Sequence, residues 1–222
     1  MSHLTGEAPA VLLGAAVGTA SGLYARRALD RTIGKNRRDG NELTAARPAP
    51  SWLLGIVGAV FGAAIGARFG TRADLPAFLY LAAIAPVLGA IDAATRRLPD
   101  RVLLPAYPLT VVLLGFAAWR NGDAGALWRA LLAAALLFAV FLAVALVAPG
   151  SLGFGDVKLA GVLGLFTGFL GWSTVWLAMM AAFGLAAVYV VVRALVRRGG
   201  RGRVLPLGPA LLLGTLIAVI AS

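Results

Sequence analysis

Apolar residues in this chain are gathered into long runs, and eight stand out, at about residues 9–25, 51–68, 75–91, 102–119, 127–148, 157–171, 173–195 and 204–221. A helix that crosses the hydrocarbon of a bilayer needs about 20 mostly apolar residues. The pattern therefore predicts an all-α fold, a polytopic membrane bundle of about eight transmembrane helices forming a single domain over residues 1–222. The sixth run is short and only Gly171 and Trp172 separate it from the seventh, so this boundary is the one where two helices could be a single broken one.

The basic residues orient the bundle. Cytoplasmic loops are enriched in Lys and Arg, and sixteen of the twenty basic residues fall in the first, third, fifth and seventh connections. Both termini lack Lys and Arg, which predicts N- and C-termini outside. Fusing runs six and seven would carry Arg193, Arg197, Arg198, Arg201 and Arg203 to the outer side, so two separate helices are expected there. The first run has no preceding positive charge and is followed by Arg26 and Arg27, the reverse of a secretory signal. It is expected to be a retained helix. The stretch at about 26–50 is the longest hydrophilic one and is expected to be a basic cytoplasmic loop against membrane lipid headgroups.

Within the runs, glycines recur at steps of three and four: Gly14, Gly18 and Gly22; Gly55, Gly58, Gly62 and Gly66; Gly161, Gly164, Gly168 and Gly171. Each set lies on one helical face, where small residues let backbones approach closely in lipid. Close packing is the expectation for all three.

Composition narrows the chemistry. The chain is 60% hydrophobic and 13% charged, with a formal charge of +11. Because the positive charge sits between apolar runs, it points to lipid and not to nucleic acid. There is no cysteine, and His3 is the sole histidine. The first excludes a disulfide framework, a thiolate metal site and a Cys nucleophile, and the second argues against a histidine metal site or a Ser-His-Asp arrangement. No metal or cofactor is expected, and any chemistry rests on carboxylates.

Glu7, Asp74 and Asp123 fall in short polar segments on the outer side, where they cap helices or face water. Asp92 and Asp156 differ. Asp92 directly follows the apolar Leu88-Gly89-Ala90-Ile91, and Asp156 lies in Gly153-Phe154-Gly155-Asp156-Val157-Lys158 at the entrance to run six. The predicted topology returns both to the cytoplasmic end. A carboxylate at a membrane boundary carries a desolvation cost unless it is paired, hydrated or protonated, which marks it as a functional candidate. Two close carboxylates hold one proton between them, and such a pair can activate water and polarise a carbonyl for peptide hydrolysis. Gly153 and Gly155 leave room for close backbone approach. The same turn also reads as a helix N-cap with Asp156 accepting from first-turn amides, and the two readings are compatible.

The segment Ile91-Asp92-Ala93-Ala94-Thr95-Arg96-Arg97-Leu98-Pro99-Asp100, followed by Gly153 to Lys158 and then by Leu205-Pro206-Leu207-Gly208-Pro209-Ala210-Leu211, resembles the bacterial type IV prepilin peptidases, G-x-G-D intramembrane aspartic proteases. The resemblance covers residues 75–221 best. It implies that Asp92 and Asp156 are the catalytic pair, supported by Pro99 and Asp100 in the first motif and by Gly153, Gly155 and Lys158 in the second. Asp100 reads first as a turn or helix cap. Two roles stay open for Lys158: tuning the charge of the pair, or marking the interface. Pro206, Gly208 and Pro209 are expected to unwind or kink the start of the last helix, with a place in the substrate cleft as the other reading.

The implied partner is a prepilin-like protein, for a pilus or a secretion pathway, whose leader is cut at the cytoplasmic face of the cell membrane. Many members of the family carry paired C-x-x-C motifs in the first cytoplasmic loop, associated with zinc and N-methylation. With no cysteine here, the resemblance is to the short, peptidase-only form. Two rivals are weighed: a presenilin-type protease, which would carry a tyrosine where Ile91 stands, and a small-solute transporter or structural bundle whose aspartates bind cations or cap helices. Reporter fusions after Arg120 and after Arg198 should report outside and inside respectively; the same side for both would contradict the topology.

Overall fold

The computed structural model describes residues 3–38, 50–95, 98, 100–149, 152–196 and 207–222. Among these residues the chain forms eight helices and no strand: α1 (His3–Arg38), α2 (Ser51–Phe69), α3 (Leu75–Thr95), α4 (Asp100–Asn121), α5 (Ala124–Val147), α6 (Phe154–Leu170), α7 (Trp172–Val196) and α8 (Leu207–Ala221). Runs six and seven are separate helices, divided at Gly171, whose φ of 151° an L side chain rarely adopts. Six of the eight are long and apolar enough to cross a membrane, while α6 and α8 have 17 and 15 residues.

One boundary differs from expectation. The basic stretch after Ala25 does not begin as a loop, because α1 continues in helix to Arg38. Arg, Lys, Ala and Leu are good helix formers, so once the membrane-spanning part nucleates the helix, each further residue adds a hydrogen bond at little cost. Residues 39–49 of that expected loop lie outside the described residues.

The glycine stripes lie where the helices meet. A Cβ on Gly14 would collide with the Gly62 carbonyl, one on Gly18 with Gly58, one on Gly22 with Leu54, and one on Gly66 with Ala10. The pairing runs in opposite directions along α1 and α2, so the two form an antiparallel hairpin in backbone contact. Gly55 joins this contact through its backbone, beside Gly22, while a Cβ of its own would meet only the Leu23 side chain. On α6, Gly164 and Gly168 meet the α5 backbone at Ala134, Ala133 and Arg129, and Gly161 receives Tyr107 of α4. Gly171 terminates α6 and is not an interface residue.

Helix α6 is the centre of the bundle, with every residue from Leu159 to Phe169 buried. Phe166 at its core meets Phe78 of α3, which stacks on Phe69 of α2 at 4.1 Å between centroids. The α1–α2 hairpin is joined to α3 by a hydrogen bond from the Ser21 hydroxyl to the Ala83 carbonyl. Beside it Ala25, Leu54, Val87 and Ile91 form a small buried cluster. Pro86 of α3 lacks the N–H that would bond to the Ala82 carbonyl one turn back.

At the end of the bundle remote from Asp92, Asp74 departs from expectation. Its side chain is buried, 2.9 Å from the Arg72 guanidinium and 2.6 Å from the Asn121 amide, and it ties the α2–α3 turn to the end of α4. Asp123 does cap a helix, accepting from the Ala126 amide at 2.9 Å at the start of α5.

Gly58→Ala should lower the stability of the detergent-solubilised protein by about 1–3 kcal/mol, since the added methyl has nowhere to go. Gly184→Ala on α7, where a Cβ would meet nothing within 4 Å, should be neutral or mildly stabilising. Thermal unfolding of the two side by side checks this, and equal effects would contradict the packing.

Candidate active site

Asp92 lies in the last turn of α3, where the Thr95 hydroxyl donates to the Ile91 carbonyl at 2.8 Å. Only 4% of the residue is exposed. At this depth a carboxylate needs a donor, and α8 supplies one: the Gly208 amide, in the first turn, donates to Asp92 Oδ2 at 3.1 Å. The first amides of a helix have no partner of their own and carry the positive end of its dipole, so α8 starts where a negative charge is stabilised. A Cβ on Gly208 would stand 2.6 Å from Asp92 Oδ2. Glycine is what allows the two helices to meet here.

Asp156 lies in the first turn of α6, ahead of the apolar run 157–171. Gly153, in extended conformation, is the N-cap residue and has no side chain to cap with, so its carbonyl accepts from Asp156 N at 3.0 Å and Val157 N at 3.4 Å. Of the Asp156 carboxyl, Oδ1 is buried without a hydrogen-bond partner among the described residues. Burial, and after it the charge of Asp92, pushes the Asp156 carboxyl up to about 6, partly opposed by a hydrogen bond from the Gly153 backbone.

The two aspartates face one cleft of about 560 Å³, lined by Asp92, Leu98, Asp100, Gly153, Phe154, Gly155, Asp156 and Lys158. Elements far apart in sequence are drawn to one end of the bundle: the end of α3 and the beginnings of α4, α6 and α8. Gly155 is needed for that approach, since a Cβ there would come within 2.9 Å of Leu98 Cβ.

The remaining residues singled out in the sequence divide. Asp100, the first residue of α4, is exposed and pairs with Lys158, Nζ to Oδ1 2.6 Å. Lys158 also lies 5.5 Å from the centre of the Phe154 ring. Gly153, Gly155, Lys158 and Asp100 thus share the cleft with the aspartates, and Gly208 reaches it through Asp92. Pro209 sits in the first turn of α8, where its missing N–H costs no intrahelical bond, and the helix continues beyond it. Pro99 and Pro206 lie outside the described residues. Leu98 and Phe154 line the cleft without having been picked out, because an apolar residue in a motif carries no chemical signal of its own.

No group of three or more potential metal ligands occurs among the described residues. The donor set is carboxylate, amide and ammonium, suited to proton transfer and to holding a polar backbone.

No solved structure matches the chain. Among curated proteins, a prepilin leader peptidase/N-methyltransferase of Bacillus subtilis (strain 168) is 27% identical over 191 residues, 84% of this chain and 71% of that protein. One of the same description from Pseudomonas putida is 29% identical over 154 residues, 69% of this chain and 52% of that protein, so the chain spans about half of that relative's length. The family model described as the type IV leader peptidase family matches residues 77–191, which include both aspartates and the glycine-rich turn. Since that match covers just over half of the chain, this membrane-embedded protein belongs to the type IV leader peptidase family and is a protease.

Proposed function

We propose that the chain is an aspartic endopeptidase that removes the leader of prepilin-like proteins at the cytoplasmic face of the membrane, with Asp92 and Asp156 as the catalytic pair. The observation that carries this is the shared cleft: two carboxylates, 64 positions apart in the sequence, line one cavity at one end of a bundle that otherwise buries few acids. A single proton held between them leaves one carboxylate to take a proton from water. The other, protonated, hydrogen-bonds the carbonyl under attack, and the proton passes on to the leaving amine. The hydrogen bond from the protonated carboxyl stabilises the negative charge that develops on the carbonyl oxygen.

The backbone at Gly153 and Gly155 fits this reading. A peptide bond within a helix is shielded by its own hydrogen bonds, so the scissile segment must be extended, and an edge without side chains lets an extended peptide lie close to the aspartates. A cleft at the end of the bundle, open to water, supplies both the hydrolytic water and the polar surroundings that an unwound segment requires. Substrates of the prepilin type come from the names of the two relatives.

Co-expression with a prepilin-like protein tests it. The wild type should shorten the substrate, whereas Asp92→Asn and Asp156→Asn should each slow cleavage by roughly 10²–10⁴-fold while inserting into the membrane in normal amount. Full processing by either single variant would overturn the assignment.

A further inference from the structure

The turn of α6 that carries Asp156 is closed by the Gly153 carbonyl, which accepts from Asp156 N and Val157 N. Gly153 provides no side-chain cap. Val157 of this turn is buried in the core, and three further contacts tie the turn to α4 and the segment before it. Lys158 pairs with Asp100, but that carboxylate is 58% exposed, and an ion pair in water fixes little. Gly155 abuts Leu98, an apolar contact without direction. The third is directional: the Tyr107 hydroxyl of α4 donates to the Lys158 backbone carbonyl at 2.7 Å. This carbonyl belongs to the helix ladder and retains a second lone pair for the phenol.

One turn further along α6, Gly161 leaves the space that the Tyr107 hydroxyl occupies. A Cβ there would overlap the phenolic oxygen and come 3.2 Å from the ring carbon that bears it. Pro105 and Pro108 flank Tyr107 on α4, and each removes a backbone N–H from that stretch of helix. The tyrosine therefore joins the proline-containing part of α4 to the start of α6, two residues beyond Asp156.

We infer that Tyr107, seated in the notch left by Gly161, is a positioning residue that sets the height and rotation of the first turn of α6 and so aims Asp156 at the cleft it shares with Asp92. This rests on the proposed pairing of the two aspartates. A change confined to the phenol should misplace the carboxylate slightly without emptying the core, because Tyr107→Phe keeps the ring. Displacements of this size act on the chemical step more than on substrate affinity.

The test is steady-state cleavage of a prepilin-like substrate by purified wild type, Tyr107→Phe, Gly161→Ala and the double variant, with Asp156→Asn as the inactive reference and thermal unfolding measured in parallel. Tyr107→Phe should lower kcat about tenfold with KM unchanged within about twofold and little change in unfolding temperature. Gly161→Ala should lower kcat further in the wild-type background, because the methyl evicts the hydroxyl. In the Tyr107→Phe background it should cost much less. An unchanged kcat in Tyr107→Phe, a loss that falls in KM or unfolding temperature instead, or fully independent effects of the two substitutions would overturn the inference, and with Asp156→Asn inactive the aspartate reading would still stand. Absence of cleavage by the wild type overturns both.

Discussion

Helices in lipid gain little by hiding apolar side chains from one another, so their association depends on how closely their backbones can approach. In this bundle the approach is set by the missing Cβ of glycine. The same device recurs at two scales. Along α1 and α2 it brings whole helices together at Gly14, Gly18, Gly58 and Gly62, and along α6 it seats the central helix against α5 at Gly164 and Gly168. At the cleft it acts one residue at a time: Gly208 against Asp92, Gly155 against Leu98, and Gly161 against Tyr107. A side chain at any of these three positions would push apart the elements that carry the site.

This constraint explains how a protein so poor in polar groups tolerates a buried acid. Asp92 is held at the N-terminus of α8 by the Gly208 amide, so the energetic cost of taking it out of water is offset by a charge-assisted hydrogen bond and the dipole of a neighbouring helix. Asp156 has no equivalent donor for Oδ1. Two carboxylates in such unequal surroundings are suited to unequal protonation, which is what acid–base hydrolysis of a peptide requires.

Much of this was legible in the sequence because its causes are local. Runs of apolar residues mark helices, glycine steps of three and four mark close faces, and an aspartate directly after Ile91 is conspicuous. What was not legible depends on partners distant in the chain. Asp74 reads as a surface acid until Arg72 and Asn121 enclose it. Pro209 reads as a break in the helix ladder until it falls in a first turn, where its missing amide costs no bond. The helix through Arg38 contradicts a loop assignment that was based on charge alone, since charge reports solvation and not backbone conformation. Tyr107 gave no signal at all; its meaning comes from Gly161 and Lys158, more than fifty positions away.

The central claim is that Asp92 and Asp156 meet across one cleft in the membrane-embedded protein. The absence of cysteine makes a direct test clean: substitute both aspartates by cysteine, treat native membranes with a short bifunctional thiol reagent, and follow formation of the internal cross-link. The account predicts rapid cross-linking of the Asp92→Cys/Asp156→Cys pair within single molecules, and slower cross-linking when a peptide substrate occupies the cleft. Thiols that both react with a monofunctional reagent but never join would contradict it.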